Sequence, residues 1–258
     1  MRAPVDNNPS CYAGHDLEAL ADLPHYVSWI LQGFAAHLRG RVLEVGAGTG
    51  NFSARYVDTV DEAVLLEPAQ NLYPTLATRF AGKSHVKPVS GLLEDWASRA
   101  LAQGGSDGRP FDAAVMVNVL EHIADDHGTI RRLGTMLRPG GKLLVFVPAL
   151  RWLYGSLDAQ VHHYRRYSRS ALTRVVERAG LEMVSMHYFD VAGVLPWLFA
   201  GRVLKQRAFS ARAAHIYDRI IVPLSSRIER WLRLPLGKNL ICVAQRPTLA
   251  AASLQRAA

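Results

Sequence analysis

The segment RVLEVGAGTGNFS, residues 41 to 53, carries strand-forming residues straight into glycines at positions 46, 48 and 50. Glycine at alternate positions lets the backbone turn sharply and lets a ligand approach it closely, which a Cβ would prevent. The residues downstream fit such a strand opening an α/β sheet. Short runs rich in Val and Leu alternate with helix-like stretches from Arg41 to about Tyr188, a pattern that predicts a doubly wound, mostly parallel sheet covered by helices on both faces. Seven strands are expected, at 41–45, 63–67, 85–89, 111–118, 142–148, 181–188 and 239–245. Helices are expected near 51–57, 70–80, 94–102, 126–137 and 168–179, the last with Ser168 as N-cap and Gly180 as its stop. RPGG (138–141) and GGSDGRP (104–110) read as a turn and a surface loop.

At 258 residues, 49% apolar and 20% charged, the chain is long enough for one large domain with a real core. The expected organisation is a single domain over 1–258. It comprises an N-terminal helical cap (1–40), a core (41–190), a helical insertion before the last strand (191–236), that strand (237–247) and a disordered tail (248–258). Within the cap, PHYVSWILQGFAAHL reads as an amphipathic helix lying on or beside the sheet. Cys11 and Cys242 are the only cysteines, without metal-ligand spacing, which points to a reducing compartment and no metal site. The opening MRAPVDNNPS has no apolar region of a secretory signal. The run VAGVLPWLFAG (191–201) falls short of the roughly 20 residues that span a bilayer, so a cytoplasmic protein is expected.

Two details narrow what the glycine turn could hold. A dinucleotide fingerprint would place its third glycine at position 51, which is Asn. The second strand ends in Glu67, about 20 residues on, where a carboxylate can accept both hydroxyls of a ribose.

Taken as a set, the E-x-G-x-G-x-G turn, Glu67 with Pro68, the fourth strand running into NVLEHI (118–123) and LRPGGKLLVFVP (137–148) resemble class I S-adenosylmethionine-dependent methyltransferases. The resemblance covers roughly 25–190 and returns at GKNLICVAQRP, which looks like the antiparallel seventh strand of that Rossmann-like fold. It implies S-adenosyl-L-methionine as cofactor. Gly46, Ala47, Gly48 and Gly50 would line its methionine and ribose portions, Glu44 would sit beneath the turn, and Glu67 with Pro68 would hold the ribose. Asn118 would border the methionine end. Many members carry an acid after the third strand that bonds the adenine amino group; Leu92 stands there, so Leu92, Leu93, Glu94 or Asp95 would have to substitute.

The segment VHHYRRYS (161–168) comes after the fifth strand and should therefore roof the site, since ligands of open α/β sheets bind beyond the carboxyl ends of the strands. It is similar to a G-H-x-R-R-Y-S segment of some methyltransferases, with His162 standing where Gly is common. His163 and His122 are the candidate catalytic groups, as bases for a hydroxyl or amine. Tyr26, Tyr154, His162, Tyr164, Arg165 and Arg166 are candidate substrate contacts, the guanidinium forks suiting a carboxylate or phosphate. The competing assignment is that Arg165 and Arg166 pair with acids such as Asp158 and only fasten the lid, and that the aromatic residues are core.

The implied activity is methyl transfer to a small or medium-sized, possibly anionic acceptor of secondary metabolism or of lipid or sugar modification. Oxygen is expected ahead of nitrogen or carbon as acceptor atom. Two alternatives stand beside it: a cofactor-binding protein that steers a cyclisation or an interaction, and a nucleic-acid methyltransferase. The second is disfavoured because NVLEH replaces the D/N-P-P-Y/F type of motif of enzymes that modify base amines. The net charge of +8 is uneven, with 11 Lys or Arg against 2 acids from Phe199 onward. That bias, with Trp197, Trp231 and the leucines of the insertion, suits peripheral membrane contact through 191–236. The oligomeric state is left open.

Overall fold

A computed structural model describes residues 23–102, 109–206, 210–232 and 234–248, with the side chains of 99–102 excepted. Its centre is a seven-stranded sheet in the order β3-β2-β1-β4-β5-β7-β6. The strands are β1 (Arg41–Val45), β2 (Glu62–Glu67), β3 (Val86–Ser90), β4 (Phe111–Val117), β5 (Leu137–Pro148), β6 (Glu182–Phe189) and β7 (Asn239–Gln245). β1 to β5 pair in parallel, and β7 runs antiparallel to both of its neighbours, β5 and β6. The chain therefore crosses from β1 outward to β3 and then back past β1 to β4. That reversal leaves a crevice at the carboxyl ends of β1 and β4, where ligands of such sheets bind.

Alternation along the strands divides the core into two apolar layers. Val42, Ala113, Val115, Leu144, Phe146, Ile241 and Val243 face one side. There they meet α1 (Pro24–Phe34) through Tyr26, Val27, Ile30 and Phe34. Leu43, Val45, Ala114, Met116, Leu143, Val145 and Cys242 face the other. That layer is covered from α3 (Leu93–Ala102), α4 (Asp126–Met136) and α6 (Arg169–Arg178) by Leu93, Ile130, Leu133, Leu172 and Val176. Both faces are buried because crossover helices lie on each, which is why the central strands read as near-continuous apolar runs. α2 (Tyr73–Phe80) comes after β2, and α5 (Ser156–Gln160) lies between β5 and α6.

Local chemistry fixes the helix ends. Ser168 Oγ accepts from the amide of Ala171 at 3.2 Å, and Gly180 takes φ +81° just beyond α6. Asp125 caps α4 in the same way, accepting from Gly128 at 2.9 Å.

Three expectations change in detail. The helix expected at 51–57 is a pair of 3₁₀ turns, Ser53–Arg55 and Val57–Thr59. RPGG is not a separate turn but the opening of β5, with Gly140 at φ +77° and Phe111 pairing Leu137 across a register shift in β4. Residues 249–258 of the expected tail, most of the 104–110 loop and residues 1–22 of the cap lie outside the described residues.

The insertion between β6 and β7 is helical. α7 (Val194–Leu198) continues into a π turn, Phe199–Val203, and α8 (Ala211–Ile216) continues through a second π turn, Tyr217–Ile221, into α9 (Val222–Trp231). Asp190 ties it to the sheet. Its fully buried carboxylate accepts from Tyr26 Oη of α1 at 3.0 Å, from Tyr217 Oη, from the Gly193 amide at 3.0 Å and from Lys238 Nζ at 2.9 Å. Removing that carboxylate would strand a largely buried cation and two phenols. Asp190→Ala is expected to cost about 3 kcal/mol or more in urea unfolding, with Asp190→Asn losing less.

Candidate functional site

The crevice begins at the end of β1. The amides of Gly46 and Ala47 both donate to Leu66 O at 2.9 Å, which pins the turn to the end of β2. Gly46 has φ +73°, and a Cβ there would lie 2.5 Å from Val119 Cγ2; Gly50 has φ +81°, and its Cβ would meet Phe80 Cε2 at 2.6 Å. The glycines are thus required by backbone conformation and by close packing at once.

Two buried acids hold this turn. Glu44 Oε2 accepts from Ser53 Oγ at 2.6 Å and Tyr56 Oη at 2.8 Å, bracing the 3₁₀ turns from below. Burial pushes its carboxyl up to about 7 against those two bonds. Glu67 divides its oxygens between the amides of Gly48 (2.7 Å) and Ala69 (2.8 Å), and burial raises its carboxyl despite them. A carboxylate oxygen has two acceptor sites, so each oxygen of Glu67 keeps one for a further donor. A vicinal diol supplies two such donors, and the donor set fits the sugar expected there.

Pro68 is half-buried beside Glu67. At the start of α3, Leu93 is core, Leu92 and Glu94 are half-buried, and Asp95 is exposed. Asn118 follows directly on β4 with φ +53°, its amide donating to Phe146 O at 2.9 Å. A non-glycine residue in the left-handed region is uncommon and clusters at functional sites, and Asn is among the residues that tolerate it. Val119, the next residue, is the one lying against Gly46.

Opposite the turn, the lid after β5 is sewn down along its length. Tyr164 N donates to Glu121 O at 2.8 Å and Tyr167 N to Pro148 O at 2.8 Å. Tyr167 Oη, buried, reaches Asp126 Oδ2 at 2.9 Å. His162 is exposed with φ +58°, which accounts physically for glycine at that place in the similar segments. Tyr154 Oη donates to His163 O at 2.8 Å, and both Tyr154 and Tyr164 are exposed on the lid.

Both arginines are paired within the protein. Arg165 donates to Asp126 Oδ2 at 2.7 Å and Ala124 O at 2.8 Å. Arg166 is buried, with Nε on Asp158 Oδ1 at 2.7 Å and a terminal nitrogen on Ala149 O at 2.8 Å. The expected fork toward an acceptor's anionic group is thereby turned inward, onto acids of the protein itself. Tyr26 is buried, with edge contacts to Trp29, Phe146 and Phe189 and its Oη donating to Asp190.

What the lid does bring to the crevice is a cluster. His163 Nδ1 lies 2.9 Å from Asp158 Oδ1, and its Nε2 is 3.8 Å from Glu121 Oε1. The His122 and His163 rings meet edge to face, with centroids 4.7 Å apart. Burial would raise the Asp158 carboxyl, but the His163 hydrogen bond and the Arg166 charge hold it below the ordinary value. An ionised Asp158 accepts, so Nδ1 carries a proton, and in the neutral imidazole Nε2 is then the acceptor, on the side of Glu121. Burial, then the positive charge available to His163 and His162, lowers His122 to about 3, so it is neutral at physiological pH.

Glu121 is the residue that sequence reasoning missed. It is fully buried, neither carboxylate oxygen has a hydrogen-bond partner, and burial pushes it up to about 7. Its only sequence signal is its place before His122 in NVLEHI. One ligand atom each from Glu121, His122 and His163 lie within 4.8 Å of one another, a donor set a divalent cation could also use, although no metal site is expected from the cysteines.

Comparison with known proteins places this geometry. A family model described as "Methyltransferase domain" matches residues 12–186. The ubiquinone biosynthesis O-methyltransferase of Xanthomonas axonopodis pv. citri (strain 306) is 28% identical over 172 residues, 61% of this chain and 67% of that protein. Its namesake from Burkholderia pseudomallei (strain 1710b) is 29% identical over 188 residues, 67% and 75% of the two chains. Among solved structures, the N-methyltransferase NodS from Bradyrhizobium japonicum WM9 in complex with S-adenosyl-L-homocysteine has a TM-score of 0.56. It is 15% identical and covers 92% of this chain and 94% of that one. The [4+2]-cyclase SpnF has a TM-score of 0.55 at 19% identity, covering 87% and 81%. The likeness to these two structures is one of fold.

The raised carboxyl of Glu121 has a consequence for stability. An acid whose folded value lies above its unfolded value favours folding when protonated, and that advantage is lost as pH rises from the unfolded value of 4.5 to the folded value of about 7. Replacing the acid by its neutral isostere removes this loss. Glu121→Gln is expected to flatten the fall in melting temperature across that interval and to be the more stable protein above it, by on the order of 3 kcal/mol. Melting curves in a pH series check it; parallel curves for the two proteins would show that Glu121 is not a buried, strained carboxylate.

Proposed function

Because the chain belongs to the methyltransferase domain family and uses S-adenosylmethionine as methyl donor, we propose that its acceptor atom is a hydroxyl oxygen of a small or medium-sized molecule, deprotonated by His163. The observation that carries this is the Asp158–His163 pair, which leaves Nε2 as a proton acceptor in a buried cluster beside His122 and Glu121. A hydroxyl is the acceptor that most needs such a base, because a neutral oxygen is a weak nucleophile and its proton must go somewhere. The relatives named as O-methyltransferases support oxygen as well.

When bound, S-adenosylmethionine supplies a methyl carbon attached to a positively charged sulfur. The chain's part is to hold that donor and present the acceptor in line with it, and such positioning is the larger share of the catalysis. Glu67 would take the ribose hydroxyls with the acceptor sites its backbone donors leave, and the Gly46–Gly50 turn would lie along the nucleoside. Asn118 would border the reacting end. His163 Nε2 would take the hydroxyl proton as the oxygen bonds to carbon, and Asp158 would stabilise the imidazolium so formed through Nδ1–H. His122, neutral, would add no competing positive charge. The acceptor need not be an anion, since Arg165 and Arg166 are matched by Asp126 and Asp158.

Incubation of cell extracts with methyl-labelled cofactor, then untargeted mass spectrometry, is expected to show label on an oxygen together with S-adenosylhomocysteine. Label on nitrogen or carbon would refute the proposal. His163→Ala is expected to lower kcat by about 10²-fold or more while cofactor affinity in calorimetry stays within about twofold. Glu67→Gln should do the converse, weakening cofactor binding by roughly tenfold. Turnover unchanged in His163→Ala would remove the base from the mechanism.

A further inference from the structure

The segment between β6 and β7 presents a surface that methyl transfer does not require. From Ala211 to Trp231 the chain is one continuous helical rod, α8 and α9 joined by the π turn. Its inner side carries Asp218, Val222 and Ser225, all buried, with Tyr217 packed on the core. Its outer side carries Ile216, Ile220 (62% exposed), Leu224, Ile228 and Trp231 (79% exposed). Those positions recur every three or four residues and form one stripe along the rod. α7 and its π turn repeat the pattern with Leu195 (68% exposed), Phe199 and Val203.

The charges around these stripes are of one sign. Arg202, Lys205, Arg212, Arg219, Arg227 and Arg230 are all exposed. Among the described residues from Val194 to Leu232 the acids are Asp218 and Glu229, and both face the protein. Asp218 accepts from the amides of His25 (3.2 Å) and Tyr26 (2.8 Å), and Glu229 from those of Asp190 (2.9 Å) and Val191 (2.8 Å). An apolar stripe edged only by cations on its open side is the pattern of a helix that lies in the headgroup layer of a bilayer. Cations near an anionic lipid surface are attracted to it, while the apolar side chains enter the acyl boundary. No described helix is long and apolar enough to cross a membrane.

We propose that the outer face formed by residues 194–206 and 210–232 is a docking surface for an anionic lipid bilayer. A second copy of the chain is a poor occupant, since a two-fold contact would set cation against cation. A nucleic acid would match the cations but would leave Leu195, Phe199, Leu224 and Trp231 facing phosphate. An anionic bilayer satisfies both features of the patch.

The surface is also attached to the site. Trp197, on α7, lies with its indole 4.7 Å beneath the Arg166 guanidinium and its Nε1 3.3 Å from Asp158 Oδ2, and Ser156 Oγ of the lid donates to Gly201 O at 3.0 Å. A bilayer on the outer face would thus rest on the helix whose inner face meets the lid.

The test is co-sedimentation of the full chain with phosphatidylcholine vesicles, with and without phosphatidylglycerol, at low and high salt. Binding is expected only with the anionic lipid, weakening as salt rises. The double substitutions Leu224→Ser with Trp231→Ser, and Arg227→Glu with Arg230→Glu, should each weaken it by roughly tenfold or more. Both pairs are exposed, so melting temperature and cofactor affinity should be unchanged, and vesicle binding needs no turnover, so failure here leaves the methyl-transfer proposal standing. The proposal is overturned if the chain stays in the supernatant with anionic vesicles at low salt, or if both doubly substituted chains sediment as the parent does. A concentration-dependent dimer that Trp231→Ser abolishes, without vesicle binding, would assign the face to a second copy instead.

Discussion

The carboxylate of Asp158 is the point through which the site is assembled. It is fully buried, and it receives His163 Nδ1, Arg166 Nε, the Gly155 amide at 3.0 Å and Trp197 Nε1. An isolated buried carboxylate is costly, and partners on this scale are what make one tenable. The same bonds orient the imidazole, hold the lid on the end of β5 through Arg166 and Ala149, and join the lid to α7. Charge balance here also explains why a sequence dense in arginine does not produce an open cationic pocket. Arg165 and Arg166 already have their acids, Asp126 and Asp158.

Across the crevice the logic is different. Glu44 and Glu67 are held by neutral donors, Ser53 and Tyr56 in one case and two backbone amides in the other. Burial therefore raises both carboxyls, whereas Asp158, with Arg166 and His163, is lowered. The arrangement suits what each side must do. Neutral donors leave Glu67 with free acceptor sites, whereas the lid's Arg165 and Arg166 are matched by Asp126 and Asp158.

Much of this could be read from the sequence because it depends on local pattern. Strand order aside, β1 and β7 fall where their Val, Leu and Ile runs place them, and Ser168 caps its helix through a bond that spans only three residues. The family motifs likewise put the glycine turn and Glu67 at one end of the sheet, and their spacing along the chain is enough for that. What could not be read depends on contacts between distant segments. Arg166 reaches Lys238 O across 72 residues, and Tyr26 meets Asp190 and Asn239 across 164 and 213. A tyrosine or arginine looks the same in sequence whether its polar end faces a ligand or a partner in the core. Glu121 was hidden for the opposite reason: neither of its oxygens has a hydrogen-bond partner, and only its burial marks it. The 51–57 helix failed because Ser53 and Tyr56 direct their hydroxyls to Glu44, and 3₁₀ turns satisfy that demand.

The two unusual segments of the chain meet at Trp197. On its α7 backbone the outward positions are apolar and exposed, yet its own indole turns in to stack under Arg166 and reach Asp158. A movement of α7 cannot then leave the lid untouched, because the indole and the imidazole share one carboxylate. Gly155 and Gly201 tighten that link: a Cβ on Gly155 would lie 2.7 Å from Gly201 O, so lid and insertion approach backbone to backbone. Interfaces packed this closely transmit displacement rather than absorb it. The insertion and the lid thus share Asp158, which also holds the His163 imidazole.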